Sequence, residues 1–268
     1  MVTFRANQLI AAANSFFRLM KLRHHVTFIG VVLGAVLFSK AVTKSLIESL
    51  LLLYCSFNVL LYGGLYTLND VVDTDSDAKH SRKKNRPLPS RKISRQTAVG
   101  FGVVLISAGL CTGALWFDQR MVGMYIGFLL VNMFYTFVAK NIPYVELAIN
   151  AVTHPMRFFM GGLLVGGGIP RMFVTAVFFF AFGIAVVRRT VQKDVEGWEA
   201  RTTLRYYSER QLMFLKTLSL GAILWLSVLD RTVPRVFYFV MIPVYALFVF
   251  GMYFSGPLRH FYRYMWTR

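Results

Sequence analysis

The stretch "YTLNDVVDTDSDAKHSRKKNRPLPSRK", residues 66–92, decides how this chain is interpreted. It places four aspartates within eight positions, residues 70–77, and follows them with a dense run of lysine and arginine. The stretch directly follows a long apolar run, in a chain that is 56% hydrophobic. Carboxylates and cations are therefore concentrated where an apolar helix is expected to leave a membrane.

The composition predicts an all-α integral membrane protein. The mean hydropathy is +0.53, and apolar runs near twenty residues long indicate spanning helices. We expect one transmembrane domain over residues 1–268, a bundle of about eight (eight to nine) transmembrane helices around a central cavity. The eight predicted spans cover residues 25–42, 46–68, 96–117, 121–138, 144–168, 171–188, 211–229 and 235–255.

The charge pattern predicts the orientation of the chain. Its formal net charge is +18, and the basic residues flank apolar runs, which indicates cytoplasmic loops and anionic lipid rather than nucleic acid as the partner. Two long polar connections, 69–95 and 189–210, follow the second and sixth spans and so emerge on one side. We predict that they are functional loops on the cytoplasmic face of the plasma (inner) membrane, and that residues 1–24 form an interfacial helix.

The first long loop has the residue types of a metal and phosphate site. If the second helix continues past the membrane, Asn69, Asp73 and Asp77 fall on one face, with Asp70 beside them. Carboxylates so close together repel one another unless a cation lies among them, which favours Mg²⁺. The basic residues that follow would hold phosphate oxygens, or would only set the topology of a solvated loop. They are Lys79, His80, Arg82, Lys83, Lys84 and Arg86.

The second long loop is less specific. Asp194 lies among basic residues that include Arg189 and Lys193, and this loop would bring further metal or phosphate ligands to a shared site. A loop of ion pairs is the structural alternative. Because an even number of spans separates the two loops, we expect them to meet over one cavity, with Asp73 or Asp77 near Asp194.

The fifth predicted span carries a polar stripe. Glu146, Asn150, His154 and Arg157 recur at helical spacing in an otherwise apolar segment. Ionisable groups at such depth are costly, so they usually face a cavity or a partner helix. We predict that this stripe lines the cavity, with hydrogen bonding between helices as the alternative.

Three segments resemble the UbiA superfamily of intramembrane prenyltransferases. "NDVVDTDSD" followed by "NRPLP" is similar to its first signature, "KDVEG" to a remnant of its second, and "YTFVAKNIPYVEL" to the segment between its fourth and fifth spans. The resemblance implies a helical bundle with an aspartate-lined cavity, open to the cytoplasm and to lipid. It also implies Mg²⁺-assisted cleavage of a polyprenyl diphosphate, or another diphosphate-activated donor, and transfer of the prenyl group to an acceptor.

The resemblance also implies roles for individual residues. Asp73, Asp77 and Asp194 would be catalytic. Metal and diphosphate would be held by Asn69, Asp70, Asp73, Asp77 and Asp194, and Arg86 would contact phosphate. The basic runs and the polar stripe, independently of the resemblance, predict further substrate ligands: Lys79, Lys83, Asn150, His154, Arg157, Arg189 and Lys193. Val191 and Trp198 stand where the second signature usually has further aspartates, so Glu196 or Glu199 must substitute or the second metal site is weakened.

Two other functions stay open. "YSERQLMFLKTLS" resembles the decaprenyl-phosphate phosphoribosyltransferase branch, in which a lipid phosphate attacks phosphoribosyl diphosphate. Both reactions release diphosphate, whose developing charge Mg²⁺ and Arg or Lys would neutralise. An anion or lipid transporter would instead place broken helices at the bilayer midplane, whereas these aspartates lie at the membrane edge. The acceptor and any oligomeric state are not specified by the sequence.

Overall fold

The computed structural model describes residues 13–79, 83–196 and 201–266, without the side chains of Arg23 and Glu196. Within these ranges the fold is helical and contains no strand. A 3₁₀ segment, Leu22–Phe28, leads into the first of the main helices. These helices are α1 Ile29–Phe38, α2 Lys44–Lys79, α3 Arg95–Trp116, α4 Gln119–Phe137, α5 Val145–Leu164, α6 Arg171–Glu196, α7 Glu209–Leu229, α8 Arg235–Phe254 and α9 Gly256–Trp266.

The helices make this a multi-pass membrane protein. In the described ranges six helices are long and apolar enough to cross a membrane: α2, α3, α4, α6, α7 and α8. A seventh is added if the bent pair Ala13–Leu19 and His24–Phe38 forms one span. Helix α5 coincides with a predicted span, but its polar stripe keeps it out of this count. The predicted eight to nine spans are therefore not confirmed.

Both predicted loops begin as helix. Helix α2 continues to Lys79 and α6 to Glu196, so the first parts of the predicted loops 69–95 and 189–210 extend the spanning helices. No glycine or proline lies between residues 65 and 86, and none between 184 and 196, so the sequence has no helix breaker there. The polar residues at the membrane edge consequently lie on regular helix ends.

Helix α2 contains one irregular segment. Residues Tyr54–Leu61 are π-helical, and the Tyr62 N–H donates to the carbonyl of Phe57, five residues earlier. Such wide turns are rare and are often found at functional sites. Asn58, in the middle of this segment, is fully buried. Neither of its amide atoms has a hydrogen-bond partner among the described residues.

Helix α1 packs backbone to backbone on α5. A Cβ atom added to Gly34 would lie 2.0 Å from the Phe158 carbonyl oxygen, and one added to Gly161 would lie 2.0 Å from that of Val31. Only glycine permits so close an approach, so Gly34 and Gly161 allow the two helix backbones to touch. The approach holds α5 against α1 along the segment that carries the polar stripe.

Helix α5 also lies between the two largest apolar clusters. One is built around Phe57 and Phe128 and includes Met160; the other is built around Phe173 and includes Phe158. Because adjacent turns of α5 contribute to both clusters, the polar side chains of this helix are held at the centre of the bundle rather than at its lipid surface.

Candidate active site

Two residues on one face of α2, in its C-terminal part, form a hydrogen-bonded pair. The Asn69 side-chain nitrogen donates to Asp73 Oδ2 at 3.1 Å, and the Thr136 hydroxyl of α4 donates to Asn69 Oδ1 at 3.2 Å. Lys140, in the connection between α4 and α5, places its Nζ 2.6 Å from Asp73 Oδ1. Asn69 and Asp73, four residues apart, therefore contact each other as the helical spacing predicts. The Asp73 carboxylate lies between the Asn69 amide and the Lys140 ammonium group.

Asp70 and Asp77 are more buried than Asp73, and each is 4% exposed. The turn after α2 brings Arg86 back onto this helix, with Nη1 2.6 Å from Asp77 Oδ2 and 3.5 Å from Asp70 Oδ1. Lys21 reaches Asp70 at 2.6 Å, and Lys83 lies 3.8 Å from Asp77. Each carboxylate is thus neutralised by at least one cation.

The fourth aspartate of the opening stretch does not join this face. Asp75 is 81% exposed and pairs with Arg95 at the protein surface. Lys79 is also exposed, at the end of α2, whereas His80 and Arg82 lie outside the described residues. Three aspartates and Asn69 therefore face the site, and Asp75 faces away from it.

The donor chemistry at Asn69 and Asp73 fits Mg²⁺. The Asn69 amide directs its nitrogen to Asp73 and its oxygen to Thr136, so a rotation of the amide by 180° would place the oxygen beside the carboxylate. Mg²⁺ commonly binds one or two carboxylates together with water and substrate phosphate. Among the described residues no group of three or more Asp, Glu, His or Cys side chains is arranged to hold a metal. Asp70 and Asp77 would become ligands only after Lys21 and Arg86 moved, so their metal roles stay predictions.

The second loop is anchored by Glu146, which is fully buried at the start of α5. Arg189 binds it in a bidentate manner, with Nε 2.6 Å from Oε1 and Nη2 2.5 Å from Oε2. The Arg201 Nη2 lies 3.4 Å from Oε2, and the Tyr207 hydroxyl donates to Oε1 at 3.2 Å. Burial and the nearby Glu146 carboxylate raise the pKa of Tyr207, which therefore remains a neutral donor.

These contacts place Glu146 as the counter-ion of the second loop. The guanidinium of Arg189, predicted to bind substrate, is engaged by Glu146 and Gln192. Lys193 donates to the Tyr207 carbonyl at 2.5 Å. Its neighbour Asp194 pairs with Arg263 of α9 at 2.5 Å, with both side chains about half exposed. A metal role for Asp194 gains no support from this contact and stays a prediction.

The two loops are joined through Lys140. Its side chain binds Asp73, and its carbonyl accepts a hydrogen bond of 2.7 Å from Arg201. Arg201 also donates to the Tyr135 hydroxyl at 3.2 Å. The loops therefore make contact through Asp73, Lys140 and Arg201, and the prediction that Asp194 approaches Asp73 or Asp77 remains open. Sequence reasoning missed Lys140 and Lys21, although Lys140 stands within "YTFVAKNIPYVEL".

Further along α5, Arg157 faces the bundle interior and is 1% exposed. Its Nη1 donates to the Thr153 carbonyl at 2.9 Å, and its guanidinium lies 4.6 Å from the ring centres of both Tyr62 and Phe128. Its Nε and Nη2 have no hydrogen-bond partner in the described part of the chain. His154 and the predicted substrate ligand Asn150 are half-buried on the same helix.

The fold is similar to that of several solved membrane proteins. A UbiA homologue from Archaeoglobus fulgidus bound to GPP and Mg²⁺ superposes with a TM-score of 0.74 at 17% identity, over 89% of this chain and 87% of the other. Digeranylgeranylglyceryl phosphate synthase gives 0.67 at 20% identity, over 96% and 94%. At these identities the likeness shows a common fold.

Sequence comparison gives further relatives and a family. The decaprenyl-phosphate phosphoribosyltransferase of Corynebacterium glutamicum is 24% identical over 63% of this chain and 52% of its own length. The protoheme IX farnesyltransferase of Haloarcula marismortui is 25% identical over 66% and 38%. The chain thus spans about half or less of the length of these curated relatives. The model of the UbiA prenyltransferase family matches residues 27–266, nearly the whole sequence, and the chain therefore belongs to that family.

Proposed function

We propose that this protein is a Mg²⁺-dependent intramembrane transferase that cleaves a polyprenyl diphosphate and transfers the prenyl group to an acceptor. The observation that supports this most is the pairing of Asn69 with Asp73 at the end of a spanning helix, beside the ammonium group of Lys140. A diphosphate leaving group needs both a metal and fixed cations to neutralise its charge. The homologue of the same fold that binds GPP and Mg²⁺ supports the same donor class.

In this proposal each residue has a distinct task. Asp73 and Asn69 would hold Mg²⁺, which stabilises the negative charge on the departing diphosphate. The Lys140 ammonium group would move from Asp73 to a diphosphate oxygen, because the Asp73 carboxylate would then bind the metal. Arg86 would keep Asp70 and Asp77 in place through its ion pairs and would also contact phosphate. Because these groups lie at the membrane edge, the prenyl chain would extend into the apolar bundle.

A phosphoribosyl donor is the second candidate. The end of α6 carries the basic residues Arg189 and Lys193, while its acidic residue Asp194 pairs with Arg263 of α9. These basic residues fit a highly phosphorylated donor such as phosphoribosyl diphosphate, with a lipid phosphate as acceptor. The similarity to decaprenyl-phosphate phosphoribosyltransferases supports this reaction.

The deciding experiment supplies each donor separately. Purified protein in lipid nanodiscs is incubated with Mg²⁺ and either labelled polyprenyl diphosphate with candidate acceptors, or labelled phosphoribosyl diphosphate with polyprenyl phosphate. Diphosphate release with a labelled lipid product identifies the donor. The Asp73→Asn variant should abolish that product, whereas Asp75→Asn, on the same helix but at the surface, should keep it. No turnover of either donor at any Mg²⁺ concentration contradicts the proposal.

We also propose that the long loops lie on the cytoplasmic side of the plasma membrane, because Lys and Arg concentrate there. A cysteine introduced at the exposed Lys92 should react with a membrane-impermeant thiol reagent only after the cells are opened. Reaction in intact cells would reverse the orientation.

A further inference from the structure

Two arginines in the bundle interior are not used by the aspartate site. Arg157 of α5 is almost completely buried, and its Nε and Nη2 lack hydrogen-bond partners among the described residues. Arg188 of α6 is half-buried, and its Nε is buried and likewise without a partner there. A buried guanidinium with unsatisfied donors destabilises the folded state, because the protein does not replace its hydration. A bound anion would supply the hydrogen-bond acceptors that both guanidinium groups lack.

The carboxylates of the described residues do not supply these acceptors. Glu146 is engaged by Arg189 and Arg201, and Asp70 by Lys21 and Arg86. Within residues 13–79, 83–196 and 201–266, the described carboxylates form no ion pair with Arg157 or Arg188. Among the described residues, the charges of Arg157 and Arg188 are therefore not neutralised by a carboxylate in an ion pair.

The charges of Arg157 and Arg188 both act on one tyrosine, Tyr66 of α2. The Tyr66 hydroxyl shares a hydrogen bond of 2.6 Å with Tyr62, whose ring lies against Arg157. Arg157 and this pair of hydroxyls therefore share one region of the bundle, with the ring of Phe128 beside the guanidinium. Helix α6, which carries Arg188, packs directly against α5.

We propose that Arg157 and Arg188 bind the phosphate group of a polyprenyl phosphate, at a site separate from the aspartates. A phosphate monoester has a charge of about −2 near neutral pH, which balances both guanidinium groups, whereas a carboxylate balances one. Arginine forks also match phosphate oxygens in a bidentate manner. The ligand is a lipid because Arg157 lies eleven residues beyond Glu146 on α5, about 16 Å deeper along the helix axis, between aromatic rings.

This site deepens the second candidate function and rests on it, since a polyprenyl phosphate is the acceptor in that reaction. It gives the acceptor headgroup its own binding residues while the donor occupies the aspartate end. The binding step needs neither Mg²⁺ nor donor, so it can be measured without turnover.

The test is equilibrium binding of labelled polyprenyl phosphate in nanodiscs without Mg²⁺ and without donor. Arg157→Gln and Arg188→Gln should each weaken binding about 10- to 100-fold, the loss expected for a charge-assisted hydrogen bond. Arg235→Gln, at an exposed arginine, is the matched control and should bind as the unaltered protein does. Equal affinity in all variants overturns the assignment.

Competing ligands identify the source of the phosphate. Unlabelled polyprenyl phosphate should displace the label, whereas inorganic phosphate and neutral polyprenol should not. Displacement by inorganic phosphate at similar concentrations would overturn the lipid assignment, and displacement by polyprenol would overturn the anion site. If polyprenyl diphosphate competes without Mg²⁺ as strongly as the monophosphate, a site specific for the monoester is wrong.

Two further variants separate binding from folding and from catalysis. Arg157→Lys keeps the charge but lacks the bidentate geometry of the guanidinium group. This variant should bind polyprenyl phosphate more weakly than the unaltered protein and more tightly than Arg157→Gln. Equal affinity of the lysine and glutamine variants would count against a role of the charge. Asp73→Asn should lose transfer and keep polyprenyl phosphate binding. If the unaltered protein shows no transfer while Arg157-dependent binding persists, the proposed function fails and this site stands.

Discussion

The ammonium group of Lys140 lies 2.6 Å from the carboxylate of Asp73. Lys140 stands in the short connection between α4 and α5, and its carbonyl holds Arg201 of the second loop. Any metal that binds Asp73 must therefore displace or share this ammonium group. Metal binding at the first loop would therefore affect the second loop, because Lys140 contacts both.

Replacing Asp73 tests the metal site directly. Asp73→Asn should lower the transfer rate about 100-fold or more, because it removes the charged ligand opposite the leaving group. Turnover at saturating donor and Mg²⁺ is the measurement. Asp75→Asn should leave the rate unchanged, since Asp75 pairs with Arg95 at the surface. A near-normal rate for Asp73→Asn at limiting Mg²⁺ would remove this residue from the metal site.

Lys140→Met should raise the donor KM about tenfold, the effect of losing one charge-assisted contact to phosphate. It should also lower the Mg²⁺ concentration needed for half-maximal rate, because the metal no longer competes with an ammonium group for Asp73. Steady-state kinetics at varied donor and Mg²⁺ test both. Lys92→Met, at an exposed lysine, is the control. Unchanged constants for Lys140→Met would show that the ion pair is only structural.

Glu146→Gln should reduce the free energy of unfolding by about 3–5 kcal/mol, because it leaves the buried Arg189 without its counter-ion. Denaturation in mild detergent, followed by circular dichroism, measures the loss. Glu48→Gln removes an exposed pair with Lys44 and should change stability little. If both variants unfold alike, the Glu146 network does not hold the second loop.

Gly161→Ala should destabilise the protein by about 1–3 kcal/mol, since the new methyl group meets the Val31 carbonyl and forces α1 away from α5. Gly123→Ala places a methyl group where nothing lies within 4 Å and should be neutral or slightly stabilising. Thermal unfolding of the two variants in the same detergent compares them. Equal unfolding temperatures would contradict the close packing of these helices.

Local spacing in the sequence predicted the parts of the site that lie on one helix. Asn69 and Asp73 are one turn apart, so their hydrogen bond follows from helical periodicity once α2 is extended. The contact of Lys140 with Asp73 joins residues 67 positions apart, and no periodicity encodes it. Lys21 reaches Asp70 from the N-terminal segment for the same reason. The partners of Lys140 and Lys21 can be identified only once the packing of the helices is known.

The polar stripe of α5 shows another limit. Spacing placed Glu146 and Arg157 on one face, but their surroundings differ, because Glu146 meets the second loop and Arg157 meets aromatic rings of α2 and α4. Which ionisable group finds a counter-ion depends on neighbouring helices. The sequence alone therefore predicted a common cavity role for residues whose surroundings in the fold differ.

The wide turns at Tyr54–Leu61 have a consequence for the direction in which the aspartates point. Each residue added to or removed from an α-helix rotates everything beyond it by about 100°. The bond from the Tyr62 N–H to the Phe57 carbonyl takes in one residue more than an α-helical turn. The phase of Asn69 and Asp73 relative to the membrane-embedded half of α2 is thus set by this insertion. The number of residues in that segment, more than their type, directs the face that carries Asn69 and Asp73 inward.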